Sequence, residues 1–213
     1  MYAYNCGAVY MDHVTHVIIQ GNTMRDFSSF IDPSITAGRG IEGSNNDYIT
    51  IFNNTFVNNR DAITMWIVTN IDIDKNTITN SDRYGINIKG QNINIINNKI
   101  TGSGDSGVRI AEYNITAQNV NVNFNNIVGN TNYGIKNQWS GEVNAEYNWW
   151  GAASEPNHPT LNTTGTGNAV SDNVKFCPWA LDNTFTNFIT LNLSSLCQPM
   201  NSVNLVAILN NST

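Results

Sequence analysis

A repeat of about 22 residues runs through the first 150 residues and limits the possible folds more than any other feature. Counting from one apolar residue, each repeat has a second apolar residue at +2, an asparagine at +5 and an apolar residue at +7. Six segments follow this pattern, beginning at Val17, Ile49, Ile71, Ile93, Val120 and Val143. The pattern predicts a solenoid, in which each unit buries its inner face only against its neighbours.

The residues that fill the repeats favour strands over helices. The first 160 residues contain no leucine, and isoleucine and valine take its place. β-Branched residues pack well in strands, whereas a leucine-rich repeat with similar spacing requires leucine at these positions. A second apolar signal, each time after glycine or alanine, follows about 15 residues later, at Ile41, Ile63, Ile86, Val108 and Ile135. We therefore predict three short strands per repeat, with Ile71, Ile73, Ile93 and Ile95 inside the core.

Asparagine is unusually frequent, with 38 copies in 213 residues, and the repeat fixes its place at +5. Two physical properties suit this residue to a turn. Asparagine tolerates the left-handed backbone region, and its side-chain amide can bond to the turn backbone and to an equivalent amide in the next coil. We predict one hydrogen-bonded column formed by Asn54, Asn76, Asn98, Asn125 and Asn148.

The repeats and two later segments resemble a known family. These segments are VNAEYNWWGAASEPNHP (143–159) and NAVSDNVKFCPWALD (168–182). Together they resemble right-handed parallel β-helix repeat proteins of the pectate-lyase-like architecture, of the extracellular, microbial cell-surface type that ends in NWWG. The resemblance implies an all-β, right-handed parallel β-helix of about six coils of about 22 residues, with a short C-terminal extension.

The resemblance also suggests boundaries. We place the coils at residues 1–160 and a closing segment with an extension at residues 161–213. Val9 matches the second strand signal without a first strand before it, so we expect the chain to begin mid-coil, as a fragment of a longer exported protein. Trp150 falls on the inward +7 position and is expected in the core, Trp149 should face outward, and His158 in the proline-containing loop should be exposed to solvent.

Charge and cysteine content exclude several classes of protein. The net charge is −6 and no basic run is present, which argues against a nucleic-acid partner. No apolar stretch approaches 18 residues, which argues against a membrane span in this chain. Cys177 and Cys197 lie close in sequence and can form a disulfide in an oxidising compartment or remain two buried thiols.

Two candidate sites have ordinary structural interpretations as well. Asp72 and Asp74 share one strand and both face outward, about 6.5–7 Å apart at Cα, a spacing found for inverting glycosidases and equally for solvated surface charges. His13 and His16 could bind a metal ion, as in a periplasmic metal-handling protein, or could be ordinary turn residues. The aspartate clusters typical of β-helix polygalacturonases are not recognisable in the sequence.

A basic stripe is the sharpest functional feature. Outward positions of the second strand place Lys89, Arg109 and Lys136 on one face within three coils, beside Trp66. The resemblance implies that such a cation could act as a base in β-elimination, with Ca²⁺ neutralising a uronate. Because no aspartate cluster lies beside the stripe, we predict binding of an acidic polysaccharide rather than its cleavage. The alternative is that Asp105, Glu112 and Glu142 in adjoining loops neutralise the stripe.

These observations support three classes of function. The first is a non-catalytic extracellular or cell-surface β-helix module that binds acidic polysaccharide or a cell-surface glycan. The second is a polysaccharide lyase or glycoside hydrolase, and the third is a periplasmic metal-handling protein. No cofactor is expected, except Ca²⁺ if the protein is a lyase.

Overall fold

The chain forms a parallel β-solenoid, seen in a computed structural model that describes residues 7–27, 38–112 and 119–185. The described residues contain sixteen strands and no helix. The strands are β1 (Val9–Asp12), β2 (Thr15–Gln20), β3 (Thr23–Arg25), β4 (Arg39–Ser44), β5 (Asp47–Phe52), β6 (Thr55–Val57), β7 (Asp61–Asp74), β8 (Thr77–Thr79), β9 (Tyr84–Ile96), β10 (Lys99–Thr101), β11 (Ser106–Ile110), β12 (Val120–Asn123), β13 (Asn126–Val128), β14 (Tyr133–Asn137), β15 (Val143–Asn144) and β16 (Val174–Lys175).

The strands stack in three parallel rows. The first row contains β1, β4, the first half of β7, the first half of β9, β11 and β14, and the second contains β2, β5, the remainder of β7 and β9, β12, β15 and β16. The third row is a five-stranded sheet of β3, β6, β8, β10 and β13. In the second row Val17 pairs with Ile49, Ile49 with Ile71, and Ile71 with Ile93, which confirms the predicted register.

The number of turns is smaller than predicted. From the first strand of the third row to the last, the described chain makes about four turns, rather than the six coils that the repeats indicate. The difference arises at the C-terminal end, because the repeat that begins at Val143 forms only a two-residue strand and then isolated bridges. A repeat signal marks a stacking position, but a full turn also requires a third strand.

The inward positions build one continuous apolar core. Ile71, Ile73, Ile93 and Ile95 are fully buried, as predicted. Residues at +7 point inward from the third row, and the largest are Phe56 and Trp150. Burial of such side chains contributes on the order of 1.5–3 kcal/mol each, so stacking of neighbouring coils provides the main driving force for the fold.

A ladder of buried asparagines follows the turn between the second and third rows, as predicted. The Asn98 amide donates to Asn125 Oδ1 at 3.0 Å and to the backbone oxygens of Ile73 at 2.8 Å and Ile96 at 2.9 Å. The same pattern repeats along the column. The expectation of a left-handed backbone at this position is wrong: the positive φ belongs to the preceding residue, for example 56° at Asn97. The ladder therefore depends on amide bonding alone.

A second buried polar column lies after the third row, where the sequence repeat gave no signal. Asn59 donates to the backbone of Met24, and Asn130 Nδ2 donates to Asn168 Oδ1 at 3.2 Å. Ser81 and Ser103 occupy the intervening coils and are buried. The column mixes asparagine with serine, which explains why a search for a fixed residue type does not detect it.

The C-terminal end is closed by the NWWG segment and the residues after it. Trp150 is buried as expected, and Asn126 forms a bridge with Trp149. The expectation that His158 is exposed is wrong, because its side chain is 2% exposed. Its Nδ1 accepts hydrogen bonds from the backbone N–H groups of Thr160 at 3.2 Å and Leu161 at 3.1 Å, so the ring organises the loop from inside.

Two further expectations can be compared with the structure. Cys177 is disulfide-bonded, and its predicted partner, Cys197, lies outside the described residues, so that pairing stays a prediction. Across the described residues, no helix has the length and apolar character needed to cross a membrane.

Candidate functional site

The outer face of the first row brings the four predicted binding residues together. In register, Arg109 pairs with Lys136 on one side and with Asn87 on the other, and Trp66 pairs with Lys89 in the adjacent column. Neighbouring strands lie about 4.8 Å apart, so the stripe from Lys89 to Lys136 spans about 10 Å. The parallel register places these side chains on one surface, which we call the basic face (Trp66, Lys89, Arg109 and Lys136).

Cations on the basic face alternate with aromatic rings. Lys89 Nζ lies 4.7 Å from the centroid of the Trp66 ring, and Lys136 Nζ lies 5.5 Å from that of Tyr133. The Arg109 guanidinium lies 5.3 Å from the centroid of the Tyr84 ring. Cation–π contacts of this kind contribute about 0.5–1 kcal/mol at exposed sites and hold both partners in place.

Amides rather than carboxylates hold Arg109. Its Nε donates to Gln138 Oε1 at 2.8 Å and its Nη1 donates to Asn87 Oδ1 at 2.8 Å. Within the described part of the chain, no carboxylate lies within 4.0 Å of the charged atoms of Arg109 or Lys136. There, the neutralisation by Asp105, Glu112 and Glu142 that the sequence left open does not occur as ion pairs.

Part of the predicted outward column is covered. Thr64 and Asn87 point away from the core, yet they are 0% and 1% exposed. Asn87 accepts a hydrogen bond from the long Arg109 side chain of the next coil, which an alternation pattern cannot predict. The accessible part of the row is therefore formed by the larger side chains of the basic face.

A buried ion cluster adjoins the basic face, and the sequence reasoning missed it. Asp61 is fully buried, and Arg83 binds it with two hydrogen bonds, of 3.1 Å from Nε and 2.7 Å from Nη2. Arg39 Nε and Arg60 Nη1 lie 3.5 Å and 3.6 Å from the same carboxylate, and Arg39 also binds Glu42 at 2.6 Å. Three arginines and two carboxylates leave a net charge of +1 at the edge of the basic face.

The electrostatics of this cluster depend on burial and on neighbouring charge. Burial alone would lower the pKa of Arg83, but the hydrogen bonds and the charge of Asp61 raise it overall. Burial and the nearby Arg83 charge lower the pKa of Arg60. A signal for the cluster did exist, since an arginine precedes the glycine–isoleucine or alanine–isoleucine pair in two successive repeats, at Arg60 and Arg83.

The other candidate residues remain apart from one another. Asp72 accepts a hydrogen bond from Asn94 at 2.9 Å, and Asp74 accepts one from Asn97 at 2.9 Å, both on the second row. His13 Nδ1 lies 3.0 Å from Asp12, whereas His16 stacks on Tyr48.

Metal-binding groups were sought across the same part of the chain. Within residues 7–27, 38–112 and 119–185, no group of three or more His, Cys, Asp or Glu could hold a metal ion.

Comparison with known proteins agrees with this architecture. A search of curated proteins and a search of solved structures found no match. The family model described as the right handed beta helix region matches residues 3–149, which is more than two thirds of the 213 residues. The matched range contains the stacked rows and the whole basic face. The chain therefore belongs to the right-handed β-helix family.

Proposed function

We propose that this chain is a non-catalytic β-helix module of an extracellular or cell-surface protein, and that it binds acidic polysaccharide on its basic face. The observation that carries the proposal is the repeated juxtaposition of a cation and an aromatic ring across three coils, at Lys89, Arg109 and Lys136. Cations attract carboxylate or sulfate groups, and aromatic faces pack against the C–H surfaces of sugar rings.

The distribution of charge supports this assignment. The chain is acidic overall, yet six of its ten basic residues lie on or beside the first row. These six are Arg39, Arg60, Arg83, Lys89, Arg109 and Lys136. Like charges placed this closely repel one another, and an anionic ligand along the stripe would relieve that repulsion.

The geometry suits a linear ligand. The stripe spans about 10 Å, close to the length of two sugar units in an extended polysaccharide. Asn87 and Gln138 hold the Arg109 guanidinium from both sides. Binding by a pre-positioned guanidinium costs less side-chain entropy than binding by a freely rotating one.

The test is a double substitution with a charge-matched control. Arg109→Ala with Lys136→Ala removes two cations from the basic face, whereas Lys75→Ala with Lys99→Ala removes two exposed cations elsewhere. The probe is a polygalacturonate column at low salt, with a neutral dextran column alongside. We expect the wild type and the control variant to be retained only by polygalacturonate, and the double variant to elute in the flow-through.

Two results would overturn the proposal. Equal retention of both double variants would show that net charge alone, not the basic face, governs binding. Accumulation of unsaturated or newly reducing sugar products on incubation with polygalacturonate would instead assign the chain to a polysaccharide lyase or hydrolase.

A further inference from the structure

A second concave surface lies on the outer side of the second row, away from the basic face. The groove has a volume of about 410 Å³, and its lining includes His16, Tyr48, Asn70, Asp72 and Asn94. We call it the aromatic–amide groove. These residues come from β2, β5, β7 and β9, together with the turns that precede them, so the groove crosses four coils.

One side of the groove presents stacked aromatic rings. The rings of His16 and Tyr48 lie 4.8 Å apart with an interplanar angle of 16°, and Tyr48 is 53% exposed. Ile18, which also lines the groove, is 67% exposed. An exposed ring beside an exposed aliphatic side chain is unfavourable in water, and it offers a platform for the apolar face of a sugar ring.

The other side presents amides whose positions are already fixed. Asn94 Nδ2 donates to Asp72 Oδ1 at 2.9 Å, and Asn94 Oδ1 accepts from Asn121 at 3.2 Å. Asn92 likewise donates to Asn70 Oδ1 at 2.8 Å. A primary amide has two donor hydrogens and two acceptor lone pairs, so each amide keeps one of each for a ligand hydroxyl. The coil spacing places these groups about 4.8 Å apart, and their order is established before binding.

The charge of the groove differs from that of the basic face. None of the described residues that line it is lysine or arginine, and Asp72 contributes a negative charge. An acidic polysaccharide would be repelled here, whereas a ligand with many hydroxyl groups and no charge meets both the amides and the aromatic platform. We propose that the aromatic–amide groove binds a neutral saccharide of the hexose or pentose type, and that this site is independent of the basic face.

The experiment combines an array of neutral oligosaccharides with affinity electrophoresis in the neutral polysaccharide that gives the strongest array signal. Tyr48→Ala removes the stacking platform. Phe124→Ala is the matched control, because Phe124 is also exposed, also has a positive φ and also stacks on a ring, that of Tyr147 at 5.3 Å, on another surface. Circular dichroism and thermal unfolding of each variant establish that it is folded.

We expect the wild type to bind a neutral glycan, Tyr48→Ala to weaken the affinity about tenfold, and Phe124→Ala to leave it unchanged. Asn94→Ala should weaken it severalfold. The variant with Arg109→Ala and Lys136→Ala should still bind the neutral glycan, so failure of one proposal is distinguishable from failure of the other. The groove proposal is wrong if the wild type binds no neutral glycan on the array, or if Tyr48→Ala and Phe124→Ala bind equally well.

Discussion

Two asparagine ladders in this protein use the same residue and the same coil spacing but differ in burial. In the inner ladder, Asn98 is buried and its amide satisfies backbone oxygens of two coils as well as the next asparagine. In the outer ladder on the second row, Asn94 is partly exposed and bonds only to the side chains of Asp72 and Asn121 among the described residues. A lost bond is replaced by water outside but not inside, so burial decides what each ladder contributes to stability.

The largest contrast should come from two carboxylates of the same strand, β7. Asp61 is buried among three arginines, whereas Asp72 is exposed. Asp61→Asn leaves buried guanidinium groups without their counter-charge, and we expect a loss of about 3–5 kcal/mol in the free energy of unfolding. Asp72→Asn should change it by less than about 0.5 kcal/mol. Urea denaturation measures both, and similar losses would contradict the importance of burial.

The inner ladder should show the next largest effect. Asn98→Ala removes the amide that satisfies Ile73 O and Ile96 O and leaves the Asn76 backbone N–H without its acceptor. We expect a loss on the order of 1–3 kcal/mol, because these groups remain buried without partners. The measurement is again urea denaturation, and a change below about 0.5 kcal/mol would show that water or backbone rearrangement replaces the amide.

Glu155 is a carboxylate of intermediate burial and gives the comparison a pH dependence. Burial raises the pKa of its side chain from 4.5 to about 8. The folded state therefore favours the protonated acid, and stability falls as the pH rises from about 4.5 to about 8. The effect should be about 1 kcal/mol, because the side chain is partly exposed and water screens its charge.

Glu155→Gln tests this sign directly. The neutral amide cannot ionise, so the variant should be more stable than the wild type at pH 8 and equal to it at pH 4.5, the ordinary pKa of the side chain. Thermal unfolding at both pH values checks the prediction. A variant that is less stable than the wild type at pH 8 would show that the carboxylate has a stabilising partner.

The smallest effect should come from the outer ladder. Asn94→Ala leaves Asp72 and Asn121 free to bond to water, so the free energy of unfolding should change by less than about 0.5 kcal/mol. Chemical denaturation alongside Asn98→Ala compares two asparagines only four positions apart in the sequence. A loss equal to that of Asn98→Ala would mean that stacking alone, without burial, gives a ladder its stability.

The sequence by itself determined the coil register of this protein. Inward positions such as Ile71 and Ile93 recur at a nearly constant interval, and a stacked coil has only one way to bury them, so a one-dimensional pattern was sufficient. It also located the inner asparagine ladder and the face shared by Lys89, Arg109 and Lys136. Parallel register converts equal spacing along the chain into adjacency in space.

Only the tertiary structure decided how side chains cover one another. The Asp61 cluster joins arginines of three coils, His158 is buried by contacts within its own loop, and the positive φ falls beside the ladder asparagine instead of on it. The aromatic–amide groove likewise combines different residue types at equivalent positions, as His16 and Tyr48 illustrate. A repeat pattern records which positions face inward, but burial of a polar group depends on the size and reach of its neighbours, and these contacts form only after the coils have stacked.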